Sequence, residues 1–186
     1  VLTNDSPFAP SFLHVDESHG KVDVGAMGDA VQCQSCHADV FAQWDSSAHH
    51  LSSFTNRFYA ASVDLTRKEK SKTSSRFCAG CHDPSLLLDG SIDVEVTAEN
   101  PRAGDGVACL VCHSTKASSR LGGGGYTLAF QPFVEPKPKD PASVAAHKSA
   151  MRPAKMSEGE FCASCHKVSL GEDVNGKRWY RGQNDF

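Results

Sequence analysis

Apolar residues in this 186-residue chain come in short groups, and no group is long. Val40, Phe41, Trp44 and Ala48 recur near the helical period and predict a helix over Ala38–Leu51. The stretch 143–150 is rich in helix formers and predicts another. Ile92, Val94 and Val96 alternate with acids, which predicts one short strand or extended edge. Asp83-Pro84 predicts a helix stop, because the residue before proline avoids helical backbone. Residues 114–142 carry Gly122 to Gly125 and then Pro132, Pro136, Pro138 and Pro141, and are expected to form a surface loop or linker. No Lys-Ser/Thr follows the glycines, so they do not form a phosphate loop. Arg67 to Lys72 reads as a solvated charged segment, with docking of an acidic partner as the lesser reading. Phe54, Phe58 and Tyr59 read as packing residues.

These elements predict a mainly α fold with long loops and little β. Residues 1–28 are punctuated by Pro7, Pro10, Gly20, Gly25 and Gly28 and read as an extended N-terminal arm; residues 29–186 read as one domain. No run of about 18 apolar residues exists, so no membrane span is expected. Neither a signal peptide at Val1 nor a stop signal after Arg178-Trp-Tyr-Arg is visible, and the natural chain is expected to continue.

The cysteines change this picture. All eight fall into Cys33-Gln-Ser-Cys36-His37, Cys78-Ala-Gly-Cys81-His82, Cys109-Leu-Val-Cys112-His113 and Cys162-Ala-Ser-Cys165-His166. Cys-x-x-Cys-His is the attachment signal for haem c. The two thiols form thioethers to one porphyrin, and the histidine becomes the proximal iron ligand. Two structural zincs would also use eight thiolates, but they give no reason for a histidine after every pair. A disulfide scaffold is a second alternative, but cysteines this close in sequence rarely pair with each other. The reading is four covalent haems in a haem-cored tetrahaem cytochrome c, with about 46 residues to wrap each one. Without haem no stable fold is expected. Asp29, Ser74, Asp105 and Ser157 precede the motifs and are expected to cap short motif helices; Ser157 with Glu160 fits a capping box. First cysteines are spaced too irregularly for a tandem repeat.

Formal charge is −3, and haem propionates make the mature protein more acidic. That balance disfavours nucleic acid as a partner. Thioether attachment takes place outside the cytoplasmic membrane, so a cleaved export signal and a periplasmic or extracellular location are expected.

Five histidines lie outside the motifs: His14, His19, His49, His50 and His147. They suffice to close four irons with a second histidine, with one to spare. Met27, Met151 and Met156 are possible substitutes that would raise a potential, although methionines usually fill cores. His49 is too far along the predicted helix to serve the iron of His37, and must serve another haem. His50 points about 100° away from His49 on that helix, so the two cannot share one iron; one of them is free to bond a propionate. His147 lies in the predicted helix before the last motif. If all four irons are six-coordinate, counting requires a further ligand, His14 or His19 from the arm or a methionine, and an arm histidine could serve the same chain or a neighbouring subunit.

Cys33 to Trp44 followed by Ser47-Ala-His49 resembles the CxxCH…WxxSxH pattern of multihaem cytochromes. That group includes the tetrahaem cytochrome of ammonia oxidisers, hydroxylamine oxidoreductase and pentahaem nitrite reductase. Gly106-Val-Ala-Cys109 and Glu160-Phe-Cys162 are similar to motif contexts in that group. The resemblance spans roughly residues 30–170. It implies His49 as a distal ligand and haems stacked in alternating parallel and perpendicular pairs. Catalytic members use a lysine-ligated or crosslinked haem, and the four histidine-ended motifs here argue against the lysine variant. The chain also resembles tetrahaem extracellular cytochromes that polymerise into conductive filaments, whose subunits complete one haem with a neighbour's histidine.

Two functions are therefore in play. The first is an electron carrier or filament subunit, not an enzyme, partnered by redox proteins, an extracellular acceptor or copies of itself. The second is a reductase or oxidase of small nitrogen or sulfur compounds, or the electron-entry part of a larger enzyme.

Overall fold

The structure is a computed structural model that describes residues 4–97, 99–130, 135–152 and 156–168. The fold is mainly α: nine helices are described, together with one small sheet. The sheet has the order β1 (His14–Val15), β3 (Tyr126–Leu128), β2 (Thr115–Ser118). β1 runs parallel to β3, with His14 opposite Thr127; β2 runs antiparallel, with an irregularity between Thr115 and Ala117.

Helices α1 (Val24–Gly28) and α2 (Val31–Gln34) lead into α3 (Ala38–Asp45). The predicted helix over Ala38–Leu51 therefore stops early. His49 closes a turn and His50–Ser52 is a 3-10 turn, with Leu51 outside helical geometry. The turn is held by contacts to distant chain, which outweigh local helical periodicity. α4 (Arg57–Glu69) starts where the Asn56 side chain accepts the amides of Phe58 and Tyr59. α5 (Arg76–His82) ends at Asp83, and Pro84 opens α6 (Pro84–Leu88) as its first residue, where proline lacks nothing the helix needs. α7 (Cys109–His113), α8 (Pro141–Ala150) and α9 (Gly159–His166) follow. α8 matches its expectation, with Asp140 accepting the Ala142 amide.

The expected caps are only partly present. Asp29 accepts the Val31 amide. Asp105 instead pairs with Arg102, and α5, α7 and α9 begin at Ser75, Ala108 and Glu158 without a side-chain cap. The expected strand at Ile92–Val96 is a 3-10 turn over Ser91–Asp93, because Ile92 is fully buried beside α5 and α6 and leaves no edge to pair. The expected surface loop at 114–142 contains β2, β3 and the buried Gly122–Gly125 run. Gly122, Gly123 and Gly124 have φ of 73°, 66° and 76°, a conformation open to glycine, and they let chain pass against α5 and α9.

The core is made of Leu13, Met27, Leu86, Leu87, Ile92, Leu110, Val111, Tyr126, Leu128 and Phe130 with smaller neighbours. Each large aliphatic here contributes about 1.5–3 kcal/mol by leaving water. Residues 4–28 take part: Leu13 and Met27 are buried, and Asp16 donates its amide to Leu128 O at 2.7 Å. The motif helices contribute to this core: Ala79 of α5 and Leu110 and Val111 of α7 are buried in it, and Cys165 of α9 packs against it.

Candidate metal centres

The first motif begins on α2, and its turn continues with the amides of Cys36 and His37 both directed to Cys33 O. The other three motifs lie on α5, α7 and α9. One helical turn places cysteines three apart on one side, which two vinyl groups of a single porphyrin require. All eight thiols are free.

The folds of the motifs bring them together in twos. The Cys33 thiol lies beside that of Cys109, and Cys81 beside Cys165. These contacts push the Cys33 and Cys81 thiols up, with burial adding to the effect. Burial pushes Cys112 up to about 11, with Cys165 and Cys162 nearby. The first motif thus lies beside the third, the second beside the fourth, and the third near the fourth.

Two imidazole pairs face each other across the chain. His37 and His147 have ring centroids 6.4 Å apart and planes 15° from parallel. His49 and His166 are 6.0 Å apart, with planes at 80°. Two imidazoles bonded to one metal at about 2 Å each, with about 1.2 Å from nitrogen to ring centre, stand about 6.4 Å apart. Burial and the nearby His166 lower the pKa of His49, favouring the neutral ring that binds metal. Burial likewise lowers His82.

The remaining proximal candidates are oriented from behind. His82 donates Nδ1–H to Ser52 O at 3.0 Å, and His113 donates Nδ1–H to Met151 O. A carbonyl acceptor fixes the proton on Nδ1 and leaves the Nε2 lone pair for a metal. Tyr59 stacks on His82 with centroids 4.6 Å apart. Among the described residues no imidazole faces His82 or His113 as His147 faces His37.

The donor set fits haem. Among the described residues no three or more His, Cys, Asp or Glu side chains converge as an ion site, which a structural zinc needs. A haem iron takes four ligands from the porphyrin and two from side chains. Val31, Val40 and Leu51, which lie near His37 and His49 in sequence, stay exposed at 64%, 56% and 48%, leaving apolar surface for a porphyrin to cover.

The other predicted ligands stand apart. His14 lies on β1, 3.5 Å from Asp5, at a cavity of about 280 Å³ with Phe12, Leu121 and Tyr126. His50 stacks on Trp44 at 4.2 Å and donates Nδ1–H to Asp45 O at 2.7 Å. It lines a cavity of about 520 Å³ with Phe41, Arg102 and Asp105. The His19 side chain lies outside the described residues. Met27 is in the core, and Met151 contributes its carbonyl.

Sequence reasoning missed the carbonyls of Ser52 and Met151, which carry no side-chain signature. It also missed Tyr59 as the ring on His82. Trp44 belonged to the resemblance, and its work is now specific: Nε1 donates to Val107 O at 2.8 Å.

Residues 32–114 match the family described as cytochrome c554 and c-prime. The fold is similar to that of a penta-heme cytochrome c552 from Thermochromatium tepidum, with TM-score 0.52 and 20% identity over 77% of this chain. The match covers 47% of that protein, so the chain spans about half its length. No curated protein matches.

Proposed function

We propose that the chain is a multihaem cytochrome c related to the cytochrome c554 family that residues 32–114 match, and that it relays electrons through four covalently held haems without binding substrate at iron. The observation that carries this reading is the facing of His37 with His147 and His49 with His166 at the spacing one iron needs. Haem iron supplies one-electron chemistry when bound. The chain's own residues do the rest. Cys33, Cys36, Cys78, Cys81, Cys109, Cys112, Cys162 and Cys165 tether the porphyrins. His37, His82, His113 and His166 are the proximal ligands. His147 closes the site of His37, and His49 that of His166. At those two irons the second histidine would exclude small molecules and suit outer-sphere transfer.

The contacts of Cys33 with Cys109, Cys81 with Cys165, and Cys112 near Cys165 support a path from motif one through three and four to two. His14, half-exposed on β1, is the arm residue suited to complete a haem in this chain or a neighbouring copy. The protein is exported and exchanges electrons with a redox protein, an extracellular acceptor or other copies of itself. No described helix is long and apolar enough to cross a membrane.

Intact mass and the EPR spectrum of the ferric protein test this. Four haem masses added to the 19.9 kDa polypeptide, with low-spin iron predominating, are expected. Fewer haems, bound zinc, or iron mostly high-spin defeats it, and the last result favours a reductase of small nitrogen or sulfur compounds.

A further inference from the structure

We propose that Gly106, three residues before the third motif, is the positioning residue for His49, the ligand to the iron of the fourth; this rests on His49 being such a ligand. His49 sits in a turn that its own helix has abandoned, since α3 ends at Asp45. What holds the turn is the 106–107 segment. Val107 donates its amide to His49 O at 2.9 Å, and Val107 O accepts Trp44 Nε1–H at 2.8 Å. Both polar groups of one peptide residue thus bracket the stretch between Trp44 and His49. Ser52 Oγ adds a second donor to the His49 carbonyl at 2.8 Å.

The bracket closes only because residue 106 has no side chain. Gly106 is buried with φ of 56°. A Cβ there would lie 2.3 Å from His50 O and 2.6 Å from His49 O. Both obstacles are backbone, which has no rotamer with which to step aside. Any larger residue must push the His49–His50 peptide outward, and the His49 ring moves with it. A ligand facing its partner at 6.0 Å tolerates little of that before the iron bond is lost. Gly106 therefore acts on the fourth haem, although it lies in the approach to the third.

The test is the EPR and carbon-monoxide spectra of the fully loaded protein with Gly106→Ala, Trp44→Phe, His49→Ala and Gly90→Ala. Gly90 shares the left-handed backbone, φ 79°, but a Cβ there meets nothing within 4 Å, so it reports strain without the collision. His49→Ala is expected to convert one low-spin haem to a high-spin, carbon-monoxide-reactive one. Gly106→Ala should reproduce that change at the same haem and leave the others untouched. Trp44→Phe keeps a ring beneath His50 but loses the donor to Val107, and should make a fraction of that haem reactive. Gly90→Ala should leave the spectra as in the parent protein. If Gly106→Ala yields no loaded protein, Trp44→Phe decides. Parent-like spectra in Trp44→Phe and in any loaded Gly106→Ala, while His49→Ala opens a haem, overturn the positioning role and leave the ligand standing. Four low-spin haems in His49→Ala overturn the ligand assignment itself.

Discussion

His37 and His147 face each other with ring centroids 6.4 Å apart and planes 15° from parallel, although one ends the first motif and the other rides on α8 near the last. α8 has no fully buried residue, so little apolar packing fixes its place. On the ligation proposed above, bonding of His147 to the iron held by His37 would supply that anchor. His147→Ala is expected to make one haem carbon-monoxide-reactive and to loosen α8. Faster amide hydrogen exchange over 141–150, together with the new carbonyl spectrum, checks both effects.

The two facing pairs differ in the angle between rings, 15° against 80°. Parallel imidazole planes split the two iron d orbitals that point between the ligand planes, while crossed planes leave them nearly degenerate. The pair His37/His147 should give an ordinary rhombic low-spin EPR signal. The pair His49/His166 should give a strongly anisotropic signal with a larger highest g value. His147→Ala removes the first and His49→Ala the second; loss of the same signal in both variants refutes the assignment.

The glycine run and Gly90 separate backbone strain from close approach. A Cβ on Gly122 would lie 1.7 Å from Lys167 O, whereas one on Gly90 meets open space. Gly90→Ala is expected to cost about 1–2 kcal/mol for its left-handed backbone alone. Gly122→Ala should cost about 2 kcal/mol more, because carbonyl and chain must separate. Urea denaturation midpoints of the two loaded variants measure the difference.

Arg76, at the start of α5, donates Nε–H and Nη2–H to Asp93 Oδ1 and Oδ2 at 2.7 and 2.6 Å. The guanidinium holds the Asp93 carboxyl below its ordinary value. A carboxylate lowered in the folded state stabilises the fold above its unfolded pKa, and that stability is lost as pH falls through the folded value. Asp93→Asn should therefore cost about 1 kcal/mol at neutral pH, kept small by the pair's partial exposure. The gap from the parent should begin to narrow below about pH 4, near the unfolded carboxylate value, and close as pH falls through the lower folded value. Urea, being uncharged, leaves the ion pair unscreened while the midpoints are compared.

Legibility in the sequence followed the range of each interaction. The four haem motifs could be read from spacing, because two vinyl groups and one iron demand thiols and imidazole within a single turn of chain. α8 could be read because Asp140, Pro141 and the helix formers that follow act locally. The helix over Ala38–Leu51 was half right: α3 obeys its periodicity, but the bracket of Val107 on His49 and Trp44 overrides it beyond Asp45. The glycine run read as loose surface chain because its composition resembles a loop. In the fold those glycines are buried, and their lack of side chains admits Ser164, Lys167 and Gly80 at close range.

The sequence by itself determined where the four haem-attachment signals fall and which histidine ends each, since covalent attachment needs only neighbours in the chain. It also determined the mainly helical class, through local propensity and period. Tertiary structure alone decided which distant ring faces which motif histidine, which motifs lie side by side, and which carbonyls orient His82 and His113. Those relations join residues far apart in sequence through backbone atoms and open space. Such contacts depend on where the chain returns, and no residue type records that.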